Sequence, residues 1–171
     1  METRLNQEVI DFISSRRSLQ IASLGEDGIP FASYAPFAIG DNCLYVILSD
    51  IAIHGINLSQ HPDASVLIIE DEDTAGELYA RLRVNYTVRA QQLEYDSQDW
   101  TTGMDALTGR FGDRPRHLGE HTDFRMFKLT PTRGRYVKGF GKAYTLAGET
   151  LAGEVVDHLR EGHQSRSASV A

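Results

Sequence analysis

Cys43 is the only cysteine in the chain. No disulfide can form within it, and the expected setting is a reducing compartment, the cytoplasm. No stretch reaches the roughly 18 consecutive apolar residues that a membrane-crossing helix needs. The opening Met1-Glu2-Thr3-Arg4 leads into an amphipathic segment and lacks the apolar core of a signal peptide, so no membrane partner is expected. Positive charge is in deficit: 17 Lys and Arg stand against 24 Asp and Glu, for a net charge of −7. That balance argues against a nucleic-acid binder, which must neutralise phosphates with a basic face. Also missing are a glycine-rich strand-to-helix crossing, a P-loop, a G-x-S-x-G elbow and a Cys/His cluster spaced for zinc.

What remains is an ordinary globular composition. The 171 residues, 41% hydrophobic and 24% charged, fit one domain with room for a core. Leu5, Val9, Phe12 and Ile13 repeat at helical spacing over 4–17. Residues 18–24 alternate as a strand, and Gly25-Glu26-Asp27-Gly28 supplies a hairpin turn. Strands are predicted over 30–39 and 43–48, then a helix over 51–60 capped by Ser49 or Asp50 and stopped near Pro62. A strand over 64–69, a helical turn over 74–79 and a long strand over 80–94 follow. Asp96 or Ser97 caps a helix whose Trp100, Met104, Leu107 and Phe111 form a stripe expected to face the core. The last predicted strands are 124–129, 133–138 and 142–146.

These elements make an antiparallel meander rather than βαβ units. The expected fold is mainly β: a small split barrel of about six to seven antiparallel strands with two to three flanking helices. The barrel domain is drawn over 1–147. Residues 148–171 form a tail with a modest helical segment near 151–160 and a Ser/Arg-rich end with nothing to bury. Arg81, Arg83, Arg89, Arg133, Arg135, Lys138 and Lys142 all fall in or beside strand segments. They are either solvated strand faces or a local basic pocket for a small anion in an otherwise acidic protein.

Two segments carry a resemblance. The first, Asp50-Ile51-Ala52-Ile53-His54-Gly55-Ile56-Asn57-Leu58 with Pro62 beyond it, is similar to the H-x-x-N-L helix of pyridoxamine-phosphate-oxidase-like split barrels. The second, Arg135-Tyr136-Val137-Lys138-Gly139-Phe140-Gly141-Lys142-Ala143-Tyr144 followed by Gly162-His163, resembles the HugZ/HutZ family of heme-utilisation proteins, in its short branch. The likeness runs from Ser33-Tyr34-Ala35-Pro36-Phe37 to the tail. It implies a homodimeric FMN-binding-type split barrel that holds heme between subunits and degrades it oxidatively, releasing iron with the help of an electron donor or reductase.

The resemblance also implies site residues. His163 is the axial ligand of the heme iron, with Gly162 lending the backbone freedom to bring the ring in. Asp123, from the other subunit, accepts a hydrogen bond from that imidazole and fixes its tautomer. Arg83 lies at the open face of the heme or clamps a propionate. Arg81 shares the strand face of Arg83 by its two-residue spacing and reads as a solvated arginine. Lys138 is a weaker propionate contact, and His54 is a structural histidine with a supporting place in the pocket as its alternative. His61, His117, His121 and His158 are given no role. Two other functions stay open: an FMN-dependent oxidoreductase, and a heme carrier or storage protein without catalysis.

Overall fold

A computed structural model of the chain describes residues 2–158 together with 165 and 166. The chain runs α1 (Glu2–Ser15), β1 (Ser18–Leu24), β2 (Pro30–Pro36), β3 (Ala38–Ile39), β4 (Leu44–Ser49), α2 (Ile53–Gln60) and β5 (Asp63–Ile69). It continues β6 (Arg83–Gln92), α3 (Gln98–Phe111), α4 (Arg114–Gly119), β7 (Phe124–Gly139), β8 (Lys142–Ala147) and β9 (Glu154–His158). All strand pairs are antiparallel, in the order β2-β1-β5-β6-β7-β4-β3, with β8 and β9 added beside β7. β2 and β3 stand at opposite ends of that order yet are separated in sequence only by Phe37. The sheet therefore curls round until its two edges meet at one residue, which is how a meander becomes a barrel.

Alternation decides which side chains enter. Leu19 and Ile21, Val66 and Ile68, Val84, Tyr86 and Val88, and Phe127 and Leu129 fill the barrel, and α1 closes it with Leu5, Val9, Phe12 and Ile13. β4 is buried on both faces, because Tyr45 and Met126 on the outer side lie under Met104 and Leu107 of α3. The Trp100–Phe111 stripe is thus a core face, as its spacing predicts.

Arg110 of α3 locks the closure. Its guanidinium donates to the carbonyls of Phe37 (3.1 Å), Ser14 (2.8 Å) and Arg16, and it lies 4.7 Å above the Phe37 ring. The planar fork directs donors from two separate nitrogens at carbonyls of three residues, whereas a lysine's three donors radiate from a single atom. Arg110→Lys is therefore expected to cost about 1 kcal/mol in denaturant unfolding, because the part-buried Phe37 and Arg16 carbonyls lose well-directed donors.

Four local expectations need correction. The predicted strands 124–129 and 133–138 are one strand, β7. Pro131 suggests a break, but a register shift between Thr87 and Val88 makes room for it as a bulge. The predicted helix near 151–160 is instead the strand β9, because the open edge of β8 recruits Glu154–His158 by backbone pairing. Leu151, just before it, sits in the core and accepts a hydrogen bond from the buried Tyr86 hydroxyl. α2 starts at Ile53 with Ala52 as an uncapped N-cap, so neither Ser49 nor Asp50 caps it. The helical turn predicted over 74–79 is a 3-10 turn at Leu78–Ala80. Ser97, by contrast, does cap α3, accepting from the Trp100 N–H at 3.2 Å. No helix among the described residues is long and apolar enough to cross a membrane.

Candidate functional site

The segment resembling the H-x-x-N-L helix is α2, and four of its five residues have a visible task. His54 Nδ1 meets the Ser33 hydroxyl at 2.9 Å. Gly55 lies so close to Ser49 that a Cβ there would stand 2.1 Å from the Ser49 carbonyl oxygen. Asn57 is buried and donates to the buried Ser23 hydroxyl at 3.0 Å. Leu58 enters the core. His54 is thereby tied structurally at one nitrogen, and its burial lowers its pKa from the ordinary 6.5. The unfolded chain binds that proton more readily, so the stability contribution is present above about pH 6.5 and is lost as pH falls through the folded value. A stability profile measured between pH 7 and 5 is expected to decline on acidification, and less steeply in His54→Gln.

Asp123 precedes β7 and faces the same Ser49–Asp50 corner. Its Oδ2 accepts from the Ser49 hydroxyl at 3.1 Å, and its carbonyl accepts from the Asp50 N–H at 2.7 Å. Arg125 completes the corner, pairing with Asp50 at 3.2 Å and donating to the Thr122 carbonyl at 2.7 Å. One carboxylate oxygen of Asp123 is thus fixed, and the other has no partner among the described residues. Exposed Ile51 and Ile53 flank this corner. Ile53 also lines an open pocket of about 560 Å³ with Glu26, Ile29 and Phe31. Neither Ser49, Arg125 nor the pocket is apparent from residue spacing, since each is assembled from segments distant in sequence.

Arg83 lies elsewhere. It opens β6 opposite Val137, and its guanidinium donates to the Arg81 carbonyl at 2.9 Å. Phe124 and Val137 are the ends of a thirteen-residue separation along β7. At about 3.3 Å per residue this puts Asp123 and Arg83 roughly 40 Å apart along the strand. Arg81 is not on the strand at all: its guanidinium folds back onto the Glu70 carbonyl while Glu70 Oε1 accepts from the Leu82 N–H, so it does not share a strand face with Arg83. Lys138 is ion-paired to Glu8 of α1 at 2.8 Å. His163 and Gly162 lie outside the described residues.

The direction of β9 matters here. It pairs Glu154 with Ala147 and His158 with Tyr144, next to Ala143, which pairs with Val137 and so with the rung of Arg83. The described part of β9 ends beside the rung of Arg83. His163 follows His158 by five residues, at most about 17 Å of extended chain. Along the β7 register, Arg83 and the end of β9 thus stand at one end of the strand and Asp123 at the other.

The model of the pyridoxamine 5'-phosphate oxidase family matches residues 5–138. Over 167 residues, 98% of this chain and 94% of the relative, the sequence is 38% identical to a Vibrio cholerae protein named heme oxygenase HutZ. The chain belongs to this family, among its HutZ-like members. The HutZ crystal structure from Vibrio cholerae, described as that of a heme storage protein, superposes with a TM-score of 0.71 at 36% identity, covering 74% of this chain and 89% of that one. The structure of ChuZ from Campylobacter jejuni superposes at 0.78 with 29% identity, over 88% of this HutZ-like chain and 63% of ChuZ. The split-barrel expectation therefore holds.

Proposed function

We propose that this protein binds heme between two copies of itself and opens the porphyrin ring oxidatively, releasing iron for use in the cytoplasm. The observation that carries the reading is the separation along β7 of Asp123 from Arg83 and the end of β9, in a chain so similar to a named heme oxygenase along its whole length. Two copies set side by side would let one ligand meet both ends. The residues present fit a heme: a half-buried carboxylate with one oxygen unpartnered among the described residues suits the distal N–H of a ligating imidazole, and Arg83, with no carboxylate partner among those residues, suits a propionate.

In this reading the barrel over 1–147 is the scaffold. The tail over 148–171, its first turn packed back through Leu151, delivers His163. Heme, when bound, supplies iron-centred oxygen chemistry and is also the molecule consumed. The protein's part is positioning. Asp123 of one copy accepts from the ring N–H of His163 of the other, holding the tautomer whose second nitrogen ligates and making it a stronger donor. Arg83 would offer its guanidinium N–H groups to a propionate or to the open face of the heme. An external electron donor, a reductase or a small reductant, completes the reaction.

The description of HutZ as a storage protein favours a second reading, heme holding without catalysis. Incubating the hemin complex with ascorbate in air separates the two. Loss of the Soret band with release of chelatable iron supports the oxygenase, whereas a Soret band that persists under every reductant leaves only a carrier. Protein that takes up FMN stoichiometrically and ignores hemin would instead be a flavin oxidoreductase of the wider family.

A further inference from the structure

Arg133 and Arg135 take no part in the scheme above, yet they complete an unusual surface. Side chains two apart on a strand share a face, and so do residues directly opposite across an antiparallel pair. Arg83 pairs with Val137, Asn85 with Arg135 and Thr87 with Arg133. The same three rungs continue on β5 as Ile69, Leu67 and Ser65. Three arginines thus occupy successive rungs of one face with no acidic residue among those positions. Asp63, one rung further on, is already engaged by Arg89 at 4.0 Å.

In a chain of net charge −7 this is a marked local excess. Among the described residues, Arg83, Arg133 and Arg135 have no carboxylate partner within 4.0 Å; others such as Arg17, Arg81 and Arg114 have none either, and what sets the three apart is their shared strand face. Their polar contacts are neutral. Arg83 holds the Arg81 carbonyl, and Arg133 Nε donates to the Thr87 hydroxyl at 3.3 Å. Asn85 is turned toward Ser65 at 3.0 Å. Such contacts orient guanidinium groups without cancelling their charge. On the same face, half-buried Leu67 and Ile69 of β5 and Val137 of β7 flank the β6 row of Arg83 and Asn85, so apolar surface borders the charges on both sides.

We infer that Arg133 and Arg135, beside Arg83, form a clamp for two anionic groups carried by one flat, apolar ligand. Alternate residues on a strand repeat at roughly 6.6 Å and diagonal neighbours across a pair stand about 7–8 Å apart, so each guanidinium can hold a separate carboxylate. The inference rests on the heme reading, in which the two anions are the propionates. A flavin phosphate shares the anionic chemistry but concentrates it in one group.

The backbone register offers one competing use. Ala147 lies between Arg133 and Glu154, and Thr145 between Arg135 and Asp157, so two acidic positions stand two strands away in the same rows. The test therefore measures binding and stability together. Full-length protein and the Arg133→Gln/Arg135→Gln double variant are titrated with hemin and with hemin dimethyl ester, following the Soret band, and with FMN by fluorescence. The thermal midpoint of each apoprotein is recorded. The wild type is expected to prefer hemin over the ester by about tenfold or more, and the variant to lose that preference with an unchanged midpoint. An equal preference in both proteins overturns the clamp while leaving heme binding standing. So does a loss of affinity that only tracks a fallen midpoint, since the arginines then serve to anchor β9. Wild type that binds FMN but not hemin overturns the heme reading and, with it, the two-anion clamp.

Discussion

Replacing Gly55 by alanine is expected to destabilise the protein by about 3 kcal/mol, the upper part of the range for overpacking a close contact. The added Cβ would stand 2.1 Å from the Ser49 carbonyl oxygen, 2.9 Å from its carbon and 3.4 Å from Asp50 Cα. All three are backbone atoms, which cannot rotate away as a side-chain tip can. Either α2 lifts off the barrel, loosening Leu58 and the buried Asn57–Ser23 hydrogen bond, or the Ser49–Asp50 corner is pushed back. The second route unseats Asp123, which this corner holds by two hydrogen bonds. At roughly 3 °C per kcal/mol for a domain of this size, the melting temperature should fall by about 9 °C. Gly109→Ala is the control. Gly109 is in α3, and a Cβ added there would meet nothing within 4 Å, so alanine should stabilise by up to about 1 kcal/mol through helix propensity. If both variants melt together, close approach at Gly55 is not what fixes α2.

Periodicity alone reveals much of this fold because the barrel has one buried face. Leu19 and Ile21 alternate with exposed neighbours, and a two-residue period fixes both strand identity and facing. The α3 stripe is equally legible, since Met104 and Leu107 are three apart and both buried. Reading fails where a tertiary partner overrides local preference. Pro131 breaks an isolated strand but is absorbed here by a bulge, and Glu154–His158 follows the edge of β8 rather than its own helical pattern. Arg81 is a case of satisfied donors: its two contacts with the Glu70 carbonyl outweigh the alternation that would have extended β6.

The candidate site is less legible for a different reason. Asp123 is singled out in the sequence only through resemblance, and what holds it, Ser49, comes from a strand 74 positions earlier. Arg110 carries no signal in its own neighbourhood, although it joins α3 to the end of α1 and to Phe37. Lys138 shows the opposite failure. It sits in the most distinctive stretch of the chain, yet its charge is matched by Glu8, so in this structure it serves the packing of α1. Spacing in sequence locates strands, whereas sites depend on which strands meet.

The separation of roughly 40 Å along β7 between the Asp123 and Arg83 ends leads to a prediction that needs no ligand coordinates. His163→Ala homodimers are expected to lose tight hemin uptake, and Asp123→Ala homodimers to bind about 10–100-fold more weakly, as when the hydrogen-bond partner of a ligating histidine is removed. When the two variants are co-expressed with different tags and the mixed dimer is isolated by tandem purification, the copies should complement each other. One of the two sites then combines the intact His163 of the Asp123→Ala copy with the intact Asp123 of the His163→Ala copy, and the other lacks both. One hemin per dimer should bind with wild-type affinity and spectrum. If both residues came from the same copy, every site in the mixed dimer would carry one defect and no wild-type site could appear. Absence of that single tight site, in a dimer shown to contain both tags, would mean that each barrel builds its site alone, and the β7 geometry would then have no bearing on heme.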